Sequence, residues 1–180
     1  MAYWTDFIDV PGYDIIAKVL GGDVRDPDMI IAPDGGPYIY RWNVIPRNEV
    51  GANVYLHLQV ADDPKRPLHD HPWDNQSVIL AGGYHEVYVA HPETQWLERG
   101  RNAIVGTVVA RRAEEAHRIF LLEGVRYTIS LFTTGPVIRT WGFWFVGERG
   151  PLFTRQWLPH EDVIEQLPDG RSVFKEPPNG

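Results

Sequence analysis

The chain has 180 residues, 43% of them hydrophobic, enough for one domain with a real core. A formal charge of -7 with a pI near 5.4 argues against a general nucleic-acid binder, which would be basic, and the absence of cysteine excludes disulfides, thiolate zinc sites and a cysteine nucleophile. No apolar run approaches the roughly 20 residues of a membrane span, and the start, from Met1 to Asp6, lacks the basic and apolar regions of a signal peptide, so the expectation is a soluble, cytoplasmic protein with no membrane partner.

Residues 1–36 read as an N-terminal arm. Within it Tyr13 to Leu20 predicts two helical turns, ended by Gly21-Gly22. Asp26-Pro27-Asp28 starts a turn or a second short helix through Met29-Ile30-Ile31, and Asp34 to Pro37 is a breaker. From Tyr38 the pattern changes to period two. Tyr38 to Ile45 predicts a strand stopped by Pro46. In Asn53 to Val60 the alternation puts Val54, Leu56, Leu58 and Val60 on one face and Tyr55, His57 and Gln59 on the other. Ala61 to Pro67 is a loop, and His69 and His71 follow it.

Further strands are predicted at Gln76 to Ala81 and Tyr84 to Val89, separated by Gly82-Gly83. His91 to Thr94 turns the chain, Gln95 to Glu98 returns it, and Arg99 to Asn102 turns it again. Strands follow at Ile104 to Ala110, Ala116 to Phe120, Val125 to Phe132 and Arg139 to Val146. Leu158 to Gly180 reads as a polar, proline-rich tail with one short helix at His160 to Leu167. Seven tryptophans suit strands and pocket walls, and many short strands at spacings of about ten residues predict an all-β sandwich or barrel. The expected organisation is a single domain over 1–180: arm 1–36, β-barrel 37–158, tail 159–180.

The chemistry concentrates in Leu68-His69-Asp70-His71-Pro72-Trp73-Asp74-Asn75-Gln76. Residues i and i+2 of an extended segment point to one face, so His69 and His71 aim at one spot, and His117 on a later strand offers a third imidazole. Neutral imidazoles suit Fe(II), Zn, Mn, Ni or Cu. Gln76 offers an amide oxygen or is simply a polar strand-start residue; Asp74 is a second oxygen donor at a poorer spacing.

The stretch resembles the first motif of the cupin superfamily. His69 and His71 occupy its histidine positions, Gln76 stands where a Glu is usual, and Gly83 falls on the Gly position. Gly106 and His117 match the first Gly and the His of the second motif, whose Pro and second Gly are replaced by Arg112 and Glu114. The resemblance covers roughly residues 50–146, and the run from Leu68 to Tyr84 is also similar to small single-domain cupins of phage and bacterial genomes. It implies a double-stranded β-helix, a jelly-roll barrel, with a divalent metal in its mouth and a homodimer. A three-histidine Fe(II) site of this kind is similar to that of the thiol dioxygenase cupins.

Other residues have two readings each. His57 and Tyr55 line the cavity, with His57 as general acid/base or as donor to a ligand, or they face solvent. Arg112, with Arg111 and Arg118, clamps an acidic substrate or forms local ion pairs with Glu114 and Glu115. Trp73, Trp141 and Trp144 are candidate pocket walls; His85, His91 and His160 read as surface. The functional expectation is a metal-binding cupin with dioxygenase-like chemistry at a three-histidine centre, Fe(II) favoured, acting on a small polar or anionic organic substrate. The alternatives are a metal-dependent isomerase or lyase, or a non-catalytic small-ligand-binding cupin.

Overall fold

In the computed structural model the described residues are 3–22, 24–32, 36–48, 50–63, 67–91, 97–149, 152–166 and 172–174, with the backbone alone at 146–149, 152–156, 163–166 and 172–174. A 3-10 turn at Trp4–Phe7 leads into helix α1 at Val10–Val19. The helix begins before the expected Tyr13 because the Asp9 side chain caps it, accepting from the Gly12 N–H at 2.9 Å, with Pro11 in the first turn. It ends where expected: Gly21 and Gly22 adopt positive φ of 73° and 90°.

The strands are β1 (Met29–Ile31), β2 (Ile39–Asn43), β3 (Asn53–Gln59), β4 (Leu68–His69), β5 (Asn75–Ala81), β6 (Gly83–Val89), β7 (Arg99–Ile104), β8 (Val108–Arg111), β9 (Ala116–Leu121), β10 (Thr128–Thr134), β11 (Gly142–Arg149), β12 (Leu152–Pro159), β13 (Ile164–Gln166) and β14 (Ser172–Phe174). One six-stranded sheet has the order β1-β2-β3-β10-β5-β8, the other β12-β11-β4-β9-β6-β7. Neighbouring strands pair antiparallel, and the two sheets form a jelly roll.

Four expectations change. Met29–Ile31 is not a helix or turn but edge strand β1, paired with β2. Arg99 to Asn102 is not a turn: it pairs along β6, with Gly100 so close to the His85 ring that a Cβ there would lie 2.8 Å from Cε1. Long-range pairing overrides the local turn chemistry. Ile104 to Ala110 breaks in two at Gly106, whose φ is 86°. Leu152–Pro159 is a strand, and the helix expected over His160 to Leu167 is only α2 (His160–Val163) before β13. The turn and return expected over 91–98 fall largely on 92–96, outside the described residues, as do the first half of the breaker expected over 34–37 and the end of the tail.

The apolar face of the first sheet points outward. Tyr40, Trp42, Leu56, Leu58 and Ile129 pack there against Trp4 and Ile16 of the arm, which therefore closes a core of its own. Each such buried side chain contributes about 1.5–3 kcal/mol. The inner face is largely polar. Arg41, His57 and Ser130 form one cross-strand row. Asn43, Tyr55, Phe132 and Ser77 form the next. Asn53, Thr134, Asn75 and Arg111 form a third.

Candidate metal centre

β4 is only two residues long, wedged between β11 and β9, with His69 in register with both Phe143 and His117. The chain stays extended through Asp70, whose N–H bonds the Gly142 carbonyl at 3.0 Å, so His69 and His71 both project inward. The ligand atoms of His69, His71 and His117 all lie within 4.8 Å of one another. The structure thus brings together the three imidazoles that the sequence singles out.

Their chemistry fits a divalent ion. Burial, with the nearby His117, His69 and Arg111, holds His71 well below its usual pKa. Burial and the Arg111 charge lower His117 as well. Both rings are therefore neutral at pH 7, the form that ligates. His71 Nε2 and His117 Nε2 are 2.8 Å apart. Nitrogens bound to one ion at about 2.0–2.1 Å lie about 2.9 Å apart at a right angle and about 3.4 Å apart at the tetrahedral angle. The separation suits cis positions of an open octahedral site; with no ion bound it also serves a direct N–H···N bond between the rings.

The third link is a residue that the motif does not mark. Glu86 on β6 is wholly buried, with Oε1 2.7 Å from His117 Nδ1. Burial pushes its carboxyl upward, but the His117 contact and the Arg111 and Arg101 guanidiniums outweigh it and hold the group ionised. Arg111 is itself buried, bonding Asn75, Ser77 and the Tyr84 hydroxyl besides Glu86. Arg101 bridges Glu86 and Glu115 and lies over the Tyr88 ring at 4.2 Å. The ionised carboxylate 2.7 Å from Nδ1, though out of line for a full hydrogen bond, favours the proton on that nitrogen and leaves Nε2 of His117 as the ligand atom. The alternation Tyr84, Glu86, Tyr88 on one strand face is the sequence signal for it, one strand beyond the expected acidic position.

The remaining predicted residues separate. Gln76 is exposed: its neighbours Asn75 and Ser77 point inward to Arg111, so Gln76 points out and does not join the imidazoles. Arg112 lies past the end of β8, with a side chain 76% exposed and paired to Asp74 at 3.0 Å, so it clamps nothing inside; strand alternation turns Arg111 inward instead. Asp74 accepts from Arg112 and from the Ala113 N–H, a loop brace and not a ligand. Tyr55 and His57 do face inward, but Phe132 stands between them and the metal site: its ring centroid is 4.9 Å from that of His57 and 6.4 Å from that of His71. His57 Nε2 accepts from Arg41 Nε at 2.9 Å, and burial with the Arg41 charge holds its pKa well below 6.5.

Trp73 stacks on His71 at 4.7 Å, and Trp141 meets His69 edge-on at 6.5 Å, so both wall the site. Trp144 is on the outer face, where its indole N–H reaches Asp70. Asp70, between the two histidines, points away from them. Wholly buried, it accepts from the Gly142 N–H, Arg139 and the Trp144 and Trp157 indoles, and so rivets β4 to β11 and β12. His160, expected at the surface, stacks on Trp141 at 4.4 Å.

No protein-family model matches the sequence, and no curated protein sequence does either. Solved structures do match. Fe(II) HppE in complex with substrate superposes with a TM-score of 0.50 at 11% identity, over 61% of this chain and 56% of that one. Oxalate decarboxylase from Bacillus subtilis at pH 4.6 gives 0.48 at 17%, over 64% and 29%. CapF with the inhibitor 3-isopropenyl-tropolone gives 0.45 at 12%, over 62% and 31%. The matched part spans about half the length of HppE and under a third of oxalate decarboxylase or CapF. These are cupin-fold proteins; the likeness to HppE, at 11% identity, shows the fold alone. Among the described residues no helix is long and apolar enough to cross a membrane.

Proposed function

We propose that this chain, with the fold of the cupins, is a metal-binding protein that works as a small-molecule metalloenzyme of the dioxygenase type. His69, His71 and His117 would hold a divalent ion, Fe(II) by preference, and a small polar or anionic organic substrate would enter beside it. The observation that carries the reading is the convergence of three imidazoles with Glu86 fixing the tautomer of one. HppE, which holds Fe(II) and substrate on a similar fold, supports the same choice.

Such an ion, when bound, would offer positions for substrate and oxygen and relay electrons from the first to the second. The chain's own residues do the rest. Glu86 keeps the proton of His117 on Nδ1. Arg101 and Arg111 balance the Glu86 charge, so that a neutral three-nitrogen ligand set leaves the full double charge of the ion to attract an anion. Trp73, Trp141 and Phe143 crowd the rings and exclude water. Isomerase or lyase chemistry needs a proton carrier at the reacting end of the substrate, beside the ion. His57, the residue expected for that work, is neutral, bonded to Arg41 and screened by Phe132, which weighs against that alternative.

The same observation favours one second reading, a cupin that holds a small ligand without transforming it. Elemental analysis of protein purified without added metal, then oxygen uptake with Fe(II) against thiols, keto acids and phenols, separates the cases. One transition metal per chain and substrate-dependent uptake are expected. Metal without uptake, with tight ligand retention, supports the holder; no metal in the wild type overturns both.

A further inference from the structure

Arg41 is the inward-facing charge of β2, and nothing in the metal site uses it. Its Nε donates to His57 Nε2 at 2.9 Å, and its guanidinium carbon lies 4.7 Å over the Tyr55 ring. Among the described residues no carboxylate pairs with it. The other inward arginines, Arg101 and Arg111, are both satisfied by Glu86. The imidazole that Arg41 does meet is neutral and offers no compensating charge. Half-buried and without an anion, the cation is left with its charge to be met by a ligand. The stacking on Tyr55 and the bond from Nε fix the plane of the fork and leave its terminal nitrogens as donors. That fork matches the two oxygens of a carboxylate.

Its place is specific. Arg41 and His57 occupy one cross-strand row, Tyr55 and Phe132 the next, and the Phe132 ring leads to His71 and, at 5.4 Å, to Trp73. The cation thus stands across a short aromatic wall from the three imidazoles, on the same inner surface.

We propose that Arg41 binds the carboxylate of a small organic acid whose flat or apolar body lies along Tyr55, Phe132 and Trp73 and whose far end faces His69, His71 and His117. This deepens the metal-site reading and rests on it only for what the far end meets.

The test is calorimetric titration of the full chain, zinc-loaded and metal-free, with acetate, lactate, glutarate and benzoate, and with benzyl alcohol and inorganic phosphate as comparisons. At least one carboxylate should bind the wild type and lose tenfold or more in affinity in Arg41→Gln. Arg41→Lys, which keeps the cation but not the fork, should lose threefold or more, and it serves as the test if Arg41→Gln does not fold. Benzyl alcohol should not respond to either substitution. The proposal is overturned if no carboxylate binds in either form, if binding is unchanged in a folded Arg41 variant, or if phosphate binds more tightly than every carboxylate. Zinc affinity is measured alongside: carboxylate binding that depends on Arg41 in a chain that takes up no zinc would sink the metal reading and leave this site standing.

Discussion

A carboxylate flanked by two guanidiniums and an imidazole balances charge as well as orienting a ring. Replacing Glu86 by Gln keeps an acceptor near His117 Nδ1 but leaves Arg111 buried without its anion. Breaking a buried pair in this way costs about 3–5 kcal/mol of stability. The loss of the oriented carboxylate should lower zinc affinity about 10–100-fold per folded molecule, measured by chelator competition. Asp63 behaves differently. It is buried in the loop after β3, accepting from the Tyr38 hydroxyl and the Ile119 N–H, and burial pushes its pKa up to about 7 against the helping bond from Ile119. Its folded-state pKa lies above the ordinary 3.8, so the native state holds the proton longer than the unfolded chain. Stability from this group is therefore greatest at low pH and is lost as pH rises toward 7. Between pH 5 and pH 8 the difference is about 3 kcal/mol. The buried histidines, whose lowered pKa values act with the opposite sign, are common to the wild type and Asp63→Asn, so in urea denaturation across that range the stability difference between the two proteins should carry the slope; the Asn amide can still accept from Ile119 and donate to Tyr38.

At the scale of elements, the site depends on a strand too short to hold itself. β4 pairs through two residues, and Asp70 supplies what the ladder does not, gathering a backbone N–H of β11, two indoles and Arg139 on one carboxylate. Asp70→Asn turns one of those acceptors into a donor facing donors. It should cost about 3 kcal/mol and also weaken zinc binding, since His69 and His71 lose their anchor. The arm gives the contrasting case. Ile16 is fully buried on the outer face of the first sheet, in the cluster where Trp4 meets Trp42 and away from the inward-facing side chains. Ile16→Ala should cost about 2–5 kcal/mol in the same denaturation assay while zinc affinity per folded molecule stays unchanged. A drop in zinc affinity would mean that the arm shapes the site. Gly82 marks a third constraint: its φ is 66°, and a Cβ there would meet the Tyr127 carbonyl oxygen at 2.0 Å, so Gly82→Ala should disrupt the β5–β6 corner outright.

Across the whole molecule, the sequence makes plain what is periodic or closely spaced, and hides what depends on contacts far along the chain. Alternation in Asn53–Gln59 and the His-x-His spacing are enough to place strands and two ligands, and His117 sits at second-motif distance. The direction of each face is harder, because this barrel inverts the usual pattern: Leu56 and Leu58 face the arm while His57, Asn75, Arg111 and Glu86 fill the inside. Residues 99–102 carry turn chemistry yet pair as β7, and Glu86 gains meaning only when β6 meets β9, where Tyr88 and His117 come into register. Gln76 illustrates the same limit: the motif spacing points to it, but strand parity turns it outward. The ligands themselves come from β4, from the loop after it and from β9, so an ion bound to all three would tie those parts of the second sheet together. A group that binds only the native state stabilises it by mass action, about 2.7 kcal/mol at a hundredfold excess over its dissociation constant. For a chain of this size that corresponds to a rise of about 5–10 °C in the melting midpoint. Chelation should remove the rise, Zn(II) or Fe(II) should restore it, and His117→Ala should melt at one temperature with or without metal. A midpoint in the wild type that ignores both chelator and metal would mean that the three rings meet each other and no ion.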